Sequence, residues 1–372
     1  MCHYGQTHKV HISRISASGF RNLDIDSREL LPTVNILHGK NAQGKTSFLE
    51  AVYFCAFGRC LRAGSDRDLI QFGQNAAFVR VDINRAGYTA QMDAFIERVG
   101  GKTKKGLAVN HVPIRHMKDL FGRLLVVMFS PEDLKLIKAG PYERRRFMDM
   151  EICQLSPVYY GDLKEYHRAL KQRNALLKIF LRDRSKFSQD SLAVWDEQLE
   201  NFGVRIMKAR DAFVKKINNI AREIHKNITQ GSETLELKYE PSVVDIDSYL
   251  ECLTKAHTRD LAQGTTTQGI HKDDIEFTIN GVSARFFGSQ GQQRTAALSA
   301  KLAEIEIIRQ SVGETPVLLL DDVLSELDGG RQRFLLEQIQ DLQTLVTCTG
   351  VEEVLLSMKD YGVMEVCGGR IV

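Results

Sequence analysis

The chain has 372 residues, 43% hydrophobic and 26% charged, the balance of a globular protein with room for two or three domain-sized units, which excludes a disordered or low-complexity chain. Its most apolar runs, such as LLVVMF at 124–129, are far too short to span a bilayer, and its seven scattered cysteines include no C-x-x-C, so a reducing cytoplasm is expected rather than a membrane, a disulfide framework or a four-cysteine zinc site. The net charge of +3 does not announce a nucleic-acid binder, but residues 131–230 hold 20 Lys and Arg against 14 Asp and Glu, so the middle is basic and the flanks mildly acidic.

Val10, Ile12 and Ile15 alternate as a strand, and TVNILHG (33–39) reads as a second strand running straight into the glycine loop GKNAQGKT (39–46). Phe48, Leu49, Val52, Tyr53 and Ala56 then fall at helical spacing, with Gly58 as the stop. Short β-like runs punctuated by Gly87 and Gly100–Gly101 fill 76–130.

The middle changes character. Leu163, Tyr166, Leu170, Leu177 and Phe180 lie at helical spacing. Trp195, Leu199, Phe202, Ile206, Ala209, Phe213, Ile217, Ile220 and Ile224 step by threes and fours. That pattern predicts a long amphipathic helix, on the order of 45 Å. The polar stretch RDRSKFSQDS (182–191) between them reads as a turn. A helical hairpin or small bundle, its apolar stripes used for core packing, is therefore expected between two α/β halves. The C-terminal third returns to α/β: VLLLDD (317–322) and LQTLVTCTG (342–350) are continuous apolar runs, as parallel strands buried on both faces require. The expected division is 1–130 with the glycine loop, 131–264 as a basic helical lobe, and 265–372.

Three stretches carry chemistry. In GKNAQGKT, Gly39 and Gly44 let the backbone wrap a phosphate, with Lys40, Asn41, Ala42 and Gln43 lining the loop. Lys45 reaches the β- and γ-phosphates of ATP and Thr46 offers its hydroxyl to Mg²⁺. The acidic strand delivers Asp321 to the sheet edge as the metal-side carboxylate, and Asp322 is placed to position or activate the attacking water. A structural alternative for such an Asp is helix capping. SELD follows, with Ser325 and Asp328 where the chain would turn across a subunit face.

The third is GSQGQQR (288–294), a polar opening onto an apolar helix and so a second phosphate-binding element. Two copies facing each other head to tail would let Ser289, with the N–H groups of Gln290 and Gly291, close over the γ-phosphate held by the partner's loop, making ATP the glue of a two-fold dimer. For DNA, the candidates are Arg144, Arg145 and Arg146, with Arg168, Lys171 and Arg173 on the first long helix; a solvated or packed helix face is the competing reading.

GKNAQGKTSFLEAVYF, FSPEDLKLIKAGPYERRRFMDM, YHRALKQRNALLK, HKDD, FGSQGQQRTAALSAKLAEIE and LLLDDVLSELD together resemble the head domain of ABC-type ATPases of the SMC class, and within it the RecF family of bacterial recombination mediators. The resemblance runs through most of the chain. It implies an α/β, SMC-like P-loop ATPase head with an inserted helical lobe and no long coiled coil. It further implies an ATP-dependent homodimer on single-stranded, duplex or gapped DNA, with slow, DNA-stimulated hydrolysis as a switch. RecO and RecR are the implied partners, in delivering RecA onto gaps coated by SSB protein. The family's loop usually has an acid and a glycine where this chain has Lys40 and Ala42; Ala42 lacks glycine's freedom at positive φ, so a slightly stiffer loop is expected. Lys272 replaces the usual Arg of HKDD and cannot make its bidentate phosphate contact. LVTCTG offers no switch His, leaving Thr347 or Thr349 to sense the γ-phosphate. The competing assignments are the head of an SMC-type nuclease complex, which needs long heptads and a C-x-x-C hook, a transporter ATPase, which needs paired Gly and a switch His, and a module that binds without hydrolysing.

Overall fold

The computed structural model describes residues 8–60, 64–85, 87–186, 188–350 and 360–372. The chain divides into two compact units, residues 1–133 with 304–372, and residues 134–303.

The first unit is α/β. One six-stranded sheet has the order Arg370–Ile371, Tyr361–Cys367, Val34–His38, Thr344–Cys348, Val317–Asp321, Val126–Phe129, parallel throughout except for the terminal pair. Strands Thr344–Cys348, Val317–Asp321 and Val126–Phe129 are buried along their whole length, which is why they read as unbroken apolar runs. The second six-stranded sheet is antiparallel, in the order Leu23–Glu29, His11–Phe20, Ala76–Arg85, Tyr88–Val99, Lys102–Val109, Val112–Pro113. Helix Lys45–Phe57 touches strands of both sheets. From Phe48 onward it is apolar apart from Glu50 and has no solvent face to show, and Phe48 through Phe57 are buried. Gln343 stitches the sheets together: its amide accepts from the Ile12 N–H at 2.6 Å and donates to the Ile12 and Leu31 carbonyls, each at 2.7 Å.

The second unit holds helices Pro141–Leu155, Pro157–Arg182, Gln189–Ile228 and Tyr249–Gln263, with a three-stranded antiparallel sheet of Leu235–Glu240, Asp274–Ile279 and Val282–Ser283. The helix Gln189–Ile228 has 40 residues, about 60 Å at 1.5 Å per residue, longer than the apolar stripe implied. It starts earlier because Ser188 caps it, accepting from the Ser191 N–H at 3.3 Å. Residues 265–303, expected with the C-terminal half, pack with the helical lobe instead. Strand Asp274–Ile279 pairs along its length with Leu235–Glu240, and Asp273 accepts from Arg210 at 2.8 Å with both side chains buried. Among the described residues, no helix is long and apolar enough to cross a membrane.

Candidate nucleotide-binding site

The glycine loop joins strand Val34–His38 to helix Lys45–Phe57. Gly39 sits at φ 149°, where a Cβ would lie 2.5 Å from the Val366 carbonyl oxygen. The helix is capped by Gly44 at φ 113°. Ala42 takes φ 64°, in the left-handed region where alanine lacks glycine's freedom. The loop imposes that conformation at a cost of about 1–2 kcal/mol for an L-residue.

The C-terminal turn buttresses the loop, a support that motif spacing does not reveal. The Gly369 N–H donates to the Gln43 carbonyl at 2.8 Å and the Gly368 N–H to Gln43 Oε1 at 2.7 Å. A Cβ on Gly369 would lie 1.7 Å from the Asn22 carbonyl oxygen. Asn22 in turn donates to the Ala42 carbonyl at 3.4 Å and accepts from Ser47 Oγ at 2.8 Å. The one signal for it in the sequence is the Gly368–Gly369 pair itself, which marks a close backbone approach.

Lys45 is buried and folds over its own loop, Nζ donating to the Gly39 carbonyl at 2.5 Å and the Lys40 carbonyl at 3.1 Å. An ammonium has three donors, so one is left for a phosphate oxygen. Lys40, Asn41 and Ala42 are exposed at the mouth of the loop.

Across the sheet edge, Thr46 Oγ1 donates to Asp321 Oδ1 at 2.8 Å, and Thr347 Oγ1 reaches the same oxygen at 3.0 Å. Asp321 and Thr347 are buried, whereas Thr349 lies exposed beyond the end of its strand. Of the two candidate threonines, Thr347 therefore stands at the carboxylates. Its hydroxyl also accepts from the Asp322 N–H at 3.0 Å. Asp322 sits at φ 58°, a region Asp tolerates better than most residues, and its carbonyl accepts from Ser325 Oγ at 2.8 Å. Its backbone is held on both sides and its side chain is half-buried. Asp328 caps helix Gly329–Gln338, accepting from the Gly330 and Arg331 N–H groups at 3.1 and 3.0 Å. Those donors, the Arg331 N–H first, hold its carboxyl below the usual range.

Ser289, Gln290 and Gly291 belong to the second unit, at the start of helix Gln290–Val312, with Ser289 and Gln290 exposed. Ser289 forms a reciprocal cap with Gln292: its hydroxyl accepts from the Gln292 N–H at 3.2 Å, and its own N–H donates to Gln292 Oε1 at 2.9 Å. Lys272 is exposed at a short turn.

The DNA candidates divide by burial. Arg173 has no exposed surface and donates to Asp196 at 2.6 Å, Asp260 at 2.7 Å and Thr266 at 2.9 Å. Arg144 is buried in a bidentate pair with Asp274, at 2.6 and 2.9 Å. Both are corrected from phosphate contacts to internal charges, because no phosphate can reach a buried guanidinium whose N–H groups already face carboxylates and, for Arg144, the Leu136 and Ala139 carbonyls. Arg145 is half-buried and donates to the Asp273 carbonyl at 2.7 Å, and Arg146 is half-buried 3.9 Å from Glu143. Arg168 and Lys171 are exposed. The sequence carries a signal for this division: Arg173 falls on the apolar stripe of Tyr166, Leu170, Leu177 and Phe180, a position that packs inward.

The family model described as the RecF/RecN/SMC N terminal domain matches residues 11–370. The DNA replication and repair protein RecF of Lachnoclostridium phytofermentans is 47% identical over 342 residues, 92% of this chain and 93% of its own length. That of Lachnospira eligens is 42% identical over 362 residues, 97% of this chain and 99% of its own. A solved structure of the recombination mediator protein RecF with ATP, from the RecFOR pathway, matches with a TM-score of 0.91 at 32% identity, over 100% of this chain and 99% of that one. The Smc head domain from Pyrococcus furiosus, with an extended coiled coil and bound to the C-terminal domain of ScpA, matches with a TM-score of 0.56 at 14% identity, over 98% of this chain and 96% of that one; that likeness speaks for the ATPase-head fold alone.

Proposed function

The chain belongs to the RecF family of ABC-type ATPase heads, and from that premise we propose that it is an ATP-dependent DNA-binding switch of DNA replication and recombinational repair. The observation that carries this reading is the meeting of Thr46, Asp321 and Thr347 on one carboxylate oxygen, beside a lysine folded across its own phosphate loop.

ATP lies along Gly39–Thr46, with Lys45 on the β- and γ-phosphates. Thr46 and Asp321 fit a Mg²⁺: both are hard oxygen donors, and their 2.8 Å separation is close to the roughly 3 Å between neighbouring ligands of an octahedral ion. Bound there, the ion would screen charge on the β- and γ-phosphates. Asp322 orients the attacking water. Ser289, Gln290 and Gly291 of a second copy supply donors to the γ-phosphate, and Asp328 is a further dimer contact, so ATP closes a two-fold dimer and slow hydrolysis opens it. The exposed Arg168 and Lys171 track DNA phosphates. The family then supplies the setting: a cytoplasmic protein acting with RecO and RecR to help load RecA at SSB-coated gaps.

Two variants test the reading. Lys45→Met removes the loop cation, so both ATP binding and ATP-driven dimerisation are lost. Ser289→Arg puts a bulky cation where the partner's γ-phosphate must fit, so the monomer binds ATP normally yet does not dimerise. An ATP affinity for Ser289→Arg as low as that of Lys45→Met would place both elements on one nucleotide and sink the sandwich.

A further inference from the structure

We propose that Glu233 is a positioning residue for the signature turn, the GSQGQQR stretch (288–294) that opens the signature helix Gln290–Val312, holding Gln292 so that Ser289 is set for a partner's γ-phosphate. The inference rests on the two-copy reading above.

The Ser289–Gln292 cap works in only one amide orientation. Oε1 of Gln292 must face the Ser289 N–H, as it does at 2.9 Å; a flipped amide would set two donors against each other. The Ser289 N–H favours that orientation, and Glu233 reinforces it from the other end of the amide. Its Oε1 accepts from Gln292 Nε2 at 3.0 Å, and a carboxylate can only accept there, so Nε2 is drawn to Glu233 and Oε1 is left for Ser289.

Glu233 is itself held from behind. Its Oε2 lies 3.2 Å from Nε2 of His225, a fully buried side chain in the last turn of helix Gln189–Ile228. The other ring nitrogen, Nδ1, lies 3.2 Å from Ser299 Oγ on the signature helix. Ser299 gives its hydroxyl hydrogen to the Thr295 carbonyl at 2.8 Å, so towards the ring it accepts and Nδ1 donates. The end of the longest helix, the turn after it, the signature cap and the signature helix thus close one circuit of hydrogen bonds. Both carboxylate oxygens of Glu233 are engaged in it, although the residue is only half-buried.

The test uses the full chain and reads monomer ATP affinity, melting and ATP-driven dimerisation by sedimentation. Glu233→Ala frees the Gln292 amide. Monomer ATP affinity stays at the wild-type value and melting falls slightly, because the buried His225 ring loses a partner, while the dimerisation constant falls by about tenfold per signature turn, about a hundredfold for the two turns of a dimer. Glu233→Gln keeps an acceptor for Gln292 and restores dimerisation to within about threefold, whereas Glu233→Met keeps the volume without the acceptor and stays as weak as the alanine, a difference that a merely packing role would not give. Gln292→Ala reproduces the loss, and adding Glu233→Ala to it costs nothing further. Wild-type dimerisation in Glu233→Ala, or a Glu233→Gln as weak as the alanine, overturns the proposal. Should Glu233→Ala fail to fold, Gln292→Ala decides: normal dimerisation there overturns it equally. Failure of the two-copy reading gives a different result, with Ser289→Arg dimerising as wild type does.

Discussion

Thr46 and Asp321, 275 residues apart in the chain, share a hydrogen bond of 2.8 Å. Strand Val317–Asp321 and helix Lys45–Phe57 meet so that a hydroxyl from one and a carboxylate from the other face a single point at the sheet edge.

Asp321→Asn keeps the shape of that contact and removes its charge. ATP binding in the presence of Mg²⁺ weakens by about ten- to hundredfold, the range for losing one charged partner, whereas binding in EDTA is unchanged. Equal titration curves for variant and wild type in Mg²⁺ would remove Asp321 from the metal side.

Arg168 and Arg173 share one helix and have opposite fates. Changing Arg168 and Lys171 to alanine lowers the slope of log K against log salt by about 0.7–0.9 for each phosphate no longer neutralised, and shifts stability by less than about 0.5 kcal/mol. Arg173→Ala strands Asp196 and Asp260 in the interior and costs about 3–5 kcal/mol, read from urea midpoints. An unchanged salt slope in the double variant takes this helix off the DNA surface.

His271 makes the second unit acid-sensitive. Its Nε2 donates to the Thr266 carbonyl at 3.0 Å and its Nδ1 takes the Tyr166 hydroxyl at 3.0 Å, which describes a neutral ring. Burial pushes its pKa down from 6.5 to about 4. The unfolded chain therefore takes up this proton first as pH falls, and stability is lost between pH 6.5 and 4, on the order of 3 kcal/mol from this one group. Urea midpoints of wild type and His271→Gln at pH 7 and pH 4.5 measure it: the variant shows the smaller loss, and parallel losses would contradict the assignment.

Ala42→Gly removes the left-handed strain of a Cβ at φ 64°. The relief, about 1–2 kcal/mol, exceeds the roughly 0.4–1 kcal/mol that a more flexible unfolded chain costs, so the melting temperature rises and ATP affinity holds. Ala42→Val, with a branched Cβ, shifts melting the other way. A glycine variant less stable than wild type would show the loop to be unstrained.

What the sequence by itself determined is chemistry carried by neighbours in the chain. The glycine loop, the acidic strand and the polar opening GSQGQQR each lie within a few residues, where φ requirements and apolar runs are local. The parallel core strands were legible for the same reason, being apolar without interruption. The tertiary structure decided everything that depends on partners far along the chain. Gln343 joins Ile12 across 331 residues, the Gly368–Gly369 turn supports Gln43, and Arg144 closes on Asp274. No period in the sequence encodes such pairings, because a side chain's charge is the same whether it meets water or a buried carboxylate. Arg168 and Arg173 look alike as letters; the packing of three helices made one a surface cation and the other the centre of a buried ion cluster. Tertiary packing likewise joined His225, Glu233 and Gln292 through hydrogen bonds.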